Sequence, residues 1–159
     1  MSFKTRLSHW RFALLTLPGL LCSAERLSLL ILMRRFSQQL PQLMQLPIPQ
    51  AMQQMTPNGA TLTADHHTVR QLADLAALLD RRSPLGICLR RSLLRYHFLR
   101  QAGVPLDVVF GARFDNGRHA TSNIAGHAWT TLNHVPYYEA DENWRNFTPM
   151  FTWPASERQ

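Results

Sequence analysis

The sequence predicts an α+β fold in which a helix beginning at Cys88 packs across a small antiparallel sheet. Two observations carry this. Apolar residues recur at helical spacing as far as about residue 101, and after Val104-Pro105 the texture changes to β-rich runs separated by turn dipeptides. At 159 residues, 45% of them hydrophobic and 17% charged, the chain suits one folded domain with a core of its own, preceded by a helical segment. The expected division is a helical segment with a Pro-, Met- and Gln-rich connector over 1–60, and the α+β domain over 61–159.

Two helices are expected first, over 8–17 and 23–38, separated by Leu17-Pro18-Gly19. Ser23 is placed to cap the second, which keeps Leu27, Leu30 and Ile31 at helical spacing. From Gln38 to Gly59 the prolines Pro41, Pro47, Pro49 and Pro57 argue against regular structure. Met44, Met52 and Met55 in that stretch read as connector, or else as the lining of a peptide groove. Val69, Leu72, Leu75, Ala76 and Leu79 then define an amphipathic helix over 65–81. Its neighbours His66 and His67 are adjacent, so they cannot form the i, i+4 pair of a helical zinc site and belong on the first-turn surface.

Ser83-Pro84-Leu85-Gly86 ends that helix, and Ile87-Cys88 opens another that runs to about Gln101 before Gly103. Leu89, Leu93 and Tyr96 supply its apolar side, with His97 near them. Arg90, Arg91, Arg95 and Arg100 read as a solvated face, or as a surface that meets an acidic peptide. A strand over 106–114, a turn at Asp115-Asn116-Gly117 and a hairpin of 125–132 with 135–139 around Asn133-His134 complete the chain.

The formal net charge of +7 comes almost wholly from arginine, Lys4 being the only lysine. Charge of that kind suits nucleic acid, an anionic membrane or an acidic peptide. No zinc finger, phosphate loop or RNP-type strand accompanies it, so nucleic acid is not expected. The Leu-rich stretch from Leu14 to Met33 is broken by Pro18, Gly19, Glu25 and Arg26, and reads as neither an export signal nor a membrane span. Cys22 and Cys88 are too few for a disulfide framework, and the cytosol is the expected compartment. No cofactor or metal is expected.

Cys88 stands where a turn gives way to a helix, the position in which a helix N-terminus lowers a thiol pKa and makes it a nucleophile near neutral pH. The first-turn N–H groups would also suit a developing oxyanion. A buried, inert thiol is the alternative. A nucleophilic thiol needs a base, and His127 is the best placed of the seven histidines, between the small residues Gly126 and Ala128 in a strand pattern. His97 and His119 are weaker candidates. The group orienting the base should come from the neighbouring strand, where a two-residue turn pairs Leu132 with Val135 and sets His127 opposite Ala140. Glu139 and Asp141 each sit one residue from that position, and pattern alone leaves both open.

Cys at a helix start, His-Ala-Trp on a strand and a carboxylate beyond it resemble the transglutaminase-like, papain-related superfamily. More narrowly, Cys88-Leu-Arg-Arg-Ser-Leu-Leu, Leu99-Arg-Gln-Ala-Gly-Val-Pro105, Val108-Val-Phe-Gly-Ala-Arg113, Gly126-His-Ala-Trp129 and Phe147-Thr-Pro-Met-Phe look like the lasso-peptide leader peptidase, the protease half of the split maturation machinery. This resemblance covers about residues 65–154. It implies a cysteine peptidase that cuts a ribosomal precursor between leader and core, so that a separate ATP-dependent lasso cyclase can close the ring. It implies Cys88 as nucleophile, His127 as base and Glu139, twelve residues later, as the acid. The family more often has Asp there, which keeps Asp141 in play. Because residues 1–60 lack the β-rich pattern of a leader-recognition domain, a separate partner protein is expected to present the leader. A transglutaminase-like acyltransferase and a silent peptide-binding module are the alternatives.

Overall fold

A computed structural model describes residues 23–115 and 123–154. The elements run α1 (Ala24–Leu43), α2 (Ile48–Met55), α3 (His66–Leu79), α4 (Ile87–Gln101), β1 (Leu106–Asp115), β2 (Asn123–Leu132), β3 (Val135–Pro136), α5 (Asp141–Trp144) and β4 (Thr148–Trp153). This is the expected helices-then-sheet order, with all four strands in one antiparallel sheet of order β3-β2-β1-β4. The helix expected over 8–17, the turn from Asn116 onward and His119 lie outside the described residues.

Ser23 caps α1 by accepting from the Arg26 N–H, as its position suggested. The helix does not stop near residue 38, however; it continues through Pro41 to Leu43. Leu40 is the reason, because it is fully buried beside Met52, Met55 and Leu93, and that burial outweighs one missing backbone bond at the last turn. The Pro/Met stretch is likewise helical, against expectation. Pro47 and Pro49 fall at the start of α2, where a missing N–H has no intrahelical acceptor to lose. Met52 and Met55 are fully buried, so they line neither a connector nor an open groove. The division expected at residue 60 does not separate two cores. Leu30 and Met33 of α1 pack with Leu72, Leu75, Leu94 and Phe98, while Leu40 and α2 pack with Leu93, Tyr96 and Val108.

Helix α3 is capped by Asp65, whose carboxylate accepts from the Thr68 N–H at 3.0 Å, and its apolar stripe lies on α1 and α4. Helix α4 keeps the predicted limits and crosses β1 and β2, one of its side chains, Ser92, donating to the Ala128 carbonyl at 2.8 Å. The β2–β3 turn is also as predicted: Asn133 and His134 have φ of 51° and 65°, the type I′ geometry that suits a two-residue hairpin. Leu132 pairs with Val135, but the second strand ends at Pro136 and does not reach Glu139. Pro136 has no N–H for the ladder, and Tyr138 turns the chain away with φ of 50°.

On the sheet, Gly111 is paired with His127. Side-chain bulk is missing at Gly111 because Trp129 lies over it: an added Cβ would stand 2.7 Å from the indole and 3.1 Å from the Thr148 carbonyl. Gly111→Ala is expected to displace the Trp129 ring and destabilise the fold by about 1–3 kcal/mol, read as a lower urea midpoint with an unchanged slope. An unchanged midpoint would show that the indole moves freely.

Candidate active site

Helix α4 presents its first turn to the site without a side-chain cap. Gly86 occupies the N-cap, so no N-cap side chain accepts from the first-turn N–H groups. A Cβ at Gly86 would lie 3.8 Å from the Cys88 sulfur. Cys88 itself is half-buried and is the free cysteine among the described residues. Burial pushes its thiol up, but hydrogen bonds from His127 and from the backbone N–H groups of Ala128 and Leu89, with the charge of His127, more than offset this and leave the pKa below its usual value.

His127 comes from β2. Its ring stacks on Trp129, with centroids 5.8 Å apart, and tilts against Phe147 at 5.1 Å, which fixes the plane of the imidazole. Burial lowers its pKa, yet the Cys88 thiolate beside it and the nearby Glu139 carboxylate push it up to about 9. Both shifts favour the thiolate–imidazolium pair over the neutral thiol and imidazole. The imidazolium contribution to stability is whole below the ordinary histidine value of 6.5 and is lost as pH rises through about 9. The thiolate contribution runs the other way, lost as pH falls through the lowered thiol value.

Glu139 follows the kink at Tyr138, and its side chain is 1% exposed. Its Oε1 lies 3.7 Å from His127 Nε2, an ion-pair separation longer than a hydrogen bond. Arg91 Nη2 donates to both carboxylate oxygens at 2.9 and 2.8 Å, and Asn143 donates to Oε1 at 2.9 Å. Burial raises the Glu139 pKa, but His127, Arg91, Asn143 and Arg95 outweigh burial and hold it below the ordinary glutamate range. Asp141, the other sequence candidate, is more than half exposed on α5 and pairs with Arg145, the residue that follows that helix. The structure thus brings Cys88, His127 and Glu139 together and leaves Asp141 outside. The ladder would have set Ala140 opposite His127; leaving it at Pro136 is what lets the chain bring Glu139 in instead.

The arginines of α4 are a correction to both sequence readings. Arg90 and Arg95 are buried, so neither is a solvated face or a surface for an acidic peptide. Arg95 grips Asp74 of α3 through Nε at 2.6 Å and Nη2 at 2.8 Å, while its Nη1 donates to the Tyr138 carbonyl at 3.2 Å and lies 3.4 Å from that of Tyr137. Arg90 lies 3.9 Å from Asp80, and Arg100 donates to the Leu106 carbonyl. Arg91, Ser92 and Arg95 hold the groups around the thiol, a role the sequence reading missed. Its signal was the spacing, since residues 88, 91, 92 and 95 share one helix face. His97 is structural: its Nδ1 meets the Met55 carbonyl at 2.6 Å, its ring stacks on Phe36, and burial lowers its pKa. His66 and His67 are exposed as expected. Among the described residues no group of His, Cys, Asp and Glu is arranged to hold a metal ion, and no helix is long and apolar enough to cross a membrane.

A family model described as the transglutaminase-like superfamily matches residues 27–152, most of the chain. No curated protein and no solved structure gives a match.

The paired charges lead to a measurable reactivity. With Cys22→Ser removing the other thiol, iodoacetamide alkylation of Cys88, followed by mass spectrometry, is expected to fall less from pH 9 to pH 7 than it does for an ordinary thiol. Adding His127→Gln should restore the ordinary decline of about tenfold per pH unit. Equal slopes in the two proteins would mean that His127 does not hold the thiolate.

Proposed function

The chain belongs to the transglutaminase-like superfamily, and we propose that within it the protein is a cysteine peptidase that removes the leader from a ribosomally synthesised lasso-peptide precursor. The observation that carries the reading is the Cys88–His127 pair at an uncapped helix N-terminus, with Glu139 behind the histidine. The narrower substrate assignment draws on the run of motifs from Cys88 to Phe151. The proposed partners are the precursor, a separate protein that recognises its leader, and the lasso cyclase that receives the core.

In this reading the Cys88 thiolate attacks the scissile carbonyl carbon and forms the C–S bond. The carbonyl oxygen takes the negative charge and faces first-turn N–H groups of α4, which are free of a side-chain cap. Collapse of this intermediate breaks the C–N bond. His127 gives its proton to the departing amine, which becomes the N-terminus of the core peptide. Neutral His127 next takes a proton from water as the oxygen attacks the thioester. The leader then leaves as a carboxylic acid, and thiolate and imidazolium are restored. Glu139 stabilises the imidazolium and its orientation throughout and does not itself exchange the proton.

Incubating the protein with precursor and the leader-recognition partner, and weighing the products, tests this. The wild type should release a leader one water heavier than the acyl residue, Cys88→Ala should release none, and His127→Gln should be slower by about 10²–10⁴-fold. A leader recovered as the adduct of an added amine, without the free acid, would instead assign the protein to acyl transfer. Cleavage by Cys88→Ala would remove Cys88 as the nucleophile. The wild-type kcat/KM should follow a bell in pH, with its rising limb below the ordinary thiol value and its falling limb near 9. A rate that keeps rising beyond pH 9 would exclude the imidazolium as the acid.

A further inference from the structure

A buried carboxylate beside an imidazole ordinarily closes to hydrogen-bond distance, because a buried N–H left without a partner is costly. Here it does not. His127 Nε2 is buried and has no hydrogen-bond partner, although Glu139 Oε1 stands 3.7 Å away. The carboxylate is engaged elsewhere: Arg91 Nη2 bridges its two oxygens, Asn143 takes Oε1 as well, and Arg95 Nη1 stands 4.0 Å from Oε2. Two charge-assisted bonds from Arg91 and one bond from Asn143 outnumber the single bond His127 could donate, and they draw the carboxylate to the Arg91 side.

We infer that Arg91 is a positioning residue that holds Glu139 off His127, so that the acid–histidine hydrogen bond is open at rest and closes when the grip of Arg91 is relaxed. The inference rests on the reading of Cys88, His127 and Glu139 as a catalytic set, but it can be read from the free protein without any peptide cleavage. The local mechanics allow it. Arg95 anchors the connection through the carbonyls of Tyr137 and Tyr138, so loss of the Arg91 contact leaves Glu139 near the site. Arg91 is itself about one-fifth exposed at the edge of the charge network, where substitution opens no cavity in either apolar cluster.

The groups that act on His127 are known from each side. Helix α4 supplies Cys88, the connection after β3 supplies Glu139, and Arg91 and Arg95 of α4 act on Glu139 in turn. From β1, Arg113 lies over the outer ring Phe147, with its guanidinium carbon 4.9 Å from the centroid. The test changes the charge at Arg91 and, through it, the position of Glu139, and the Glu139→Gln background separates the two.

NMR titration of the His127 Cε1–H, assigned by its absence in His127→Gln, gives the readout. Arg91→Gln is expected to raise the titration midpoint by about one pH unit as the carboxylate closes on Nε2. Arg91→Lys, which keeps a cation but not the bridging geometry, should raise it less. Combining either with Glu139→Gln should abolish the rise. An unchanged or lower midpoint in Arg91→Lys and Arg91→Gln would overturn the inference and make Arg91 the group that presents the acid to the histidine. A rise that persists in the Glu139→Gln background would overturn it too, because the effect would then be direct repulsion between Arg91 and His127. Thermal unfolding checks that each variant folds, and Arg91→Lys decides the question alone if Arg91→Gln does not. Failure of leader cleavage with these shifts intact would count against the proposed substrate and leave the role of Arg91 standing.

Discussion

One face of α4 fixes the geometry on which the rest of the site depends. Cys88, Arg91, Ser92 and Arg95 fall at i, i+3, i+4 and i+7, so a rigid helix sets their separations before any loop is placed. Each then holds a different piece of chain. Ser92 holds the Ala128 carbonyl next to His127, Arg91 holds the Glu139 carboxylate, and Arg95 ties the residues before Glu139 to Asp74. Positions of the Cys88 thiol, the His127 imidazole and the Glu139 carboxylate are therefore all measured from a single element. The remaining faces of α4 explain why it stays put, since Leu94, Phe98 and Leu99 enter one apolar cluster while Leu93 and Tyr96 enter the other.

Burying that many ions is not a route to stability. A buried pair gains Coulomb energy but loses hydration, and the two roughly cancel against an apolar replacement of similar volume. Net stabilisation falls to the apolar clusters, where each large side chain that is fully buried contributes about 1.5–3 kcal/mol. What Asp74, Arg95, Arg91 and Glu139 supply is a single arrangement: an acid on an irregular connection has no strand register to hold it. The short β3 makes this necessary. After Pro136 one more backbone bond, from the Tyr137 N–H to the Thr130 carbonyl, holds the chain to β2, and beyond it the side-chain bonds of Arg91, Arg95 and Asn143 hold Glu139.

Legibility in the sequence followed the range of the interactions. The limits of α4 and the Asn133-His134 turn depend on neighbours a few residues away, and both were readable from Gly, Pro and periodicity. Helix α2 was missed because Pro47 and Pro49 look like breakers until their place at a helix start is known, and because the burial of Met52 and Met55 comes from distant partners. The arginines of α4 were misread for a similar reason, as charge pattern says nothing about an Asp74 or a Glu139 brought in from elsewhere in the chain. Cys88 and His127 could be named from local context. The choice between Glu139 and Asp141 could not, because it turns on a positive φ at Tyr138 that no pairing rule anticipates.

Unsatisfied polar atoms show where the fold departs from its own best packing. Among the described residues seven buried side-chain atoms lack a hydrogen-bond partner, and four of them, His127 Nε2, Arg91 Nε and two nitrogens of Arg90, lie at His127 or on the helix that carries Cys88, the others being Arg70 Nε, Thr130 Oγ1 and Trp144 Nε1. A fold selected for stability alone would satisfy or remove them, since each costs on the order of 1–3 kcal/mol. Departures from local consistency tend to gather at functional sites. Here they gather around a thiol whose pKa is held down against burial and an imidazole whose pKa is held up against it. Desolvation opposes both charged forms, so the pair persists only because each supplies the counter-charge the other lacks. In the proposed reaction, a substrate carbonyl that consumes the thiolate removes half of that arrangement. The imidazolium is then left with Glu139 alone as its counter-charge and gains most by giving its proton to the departing amine.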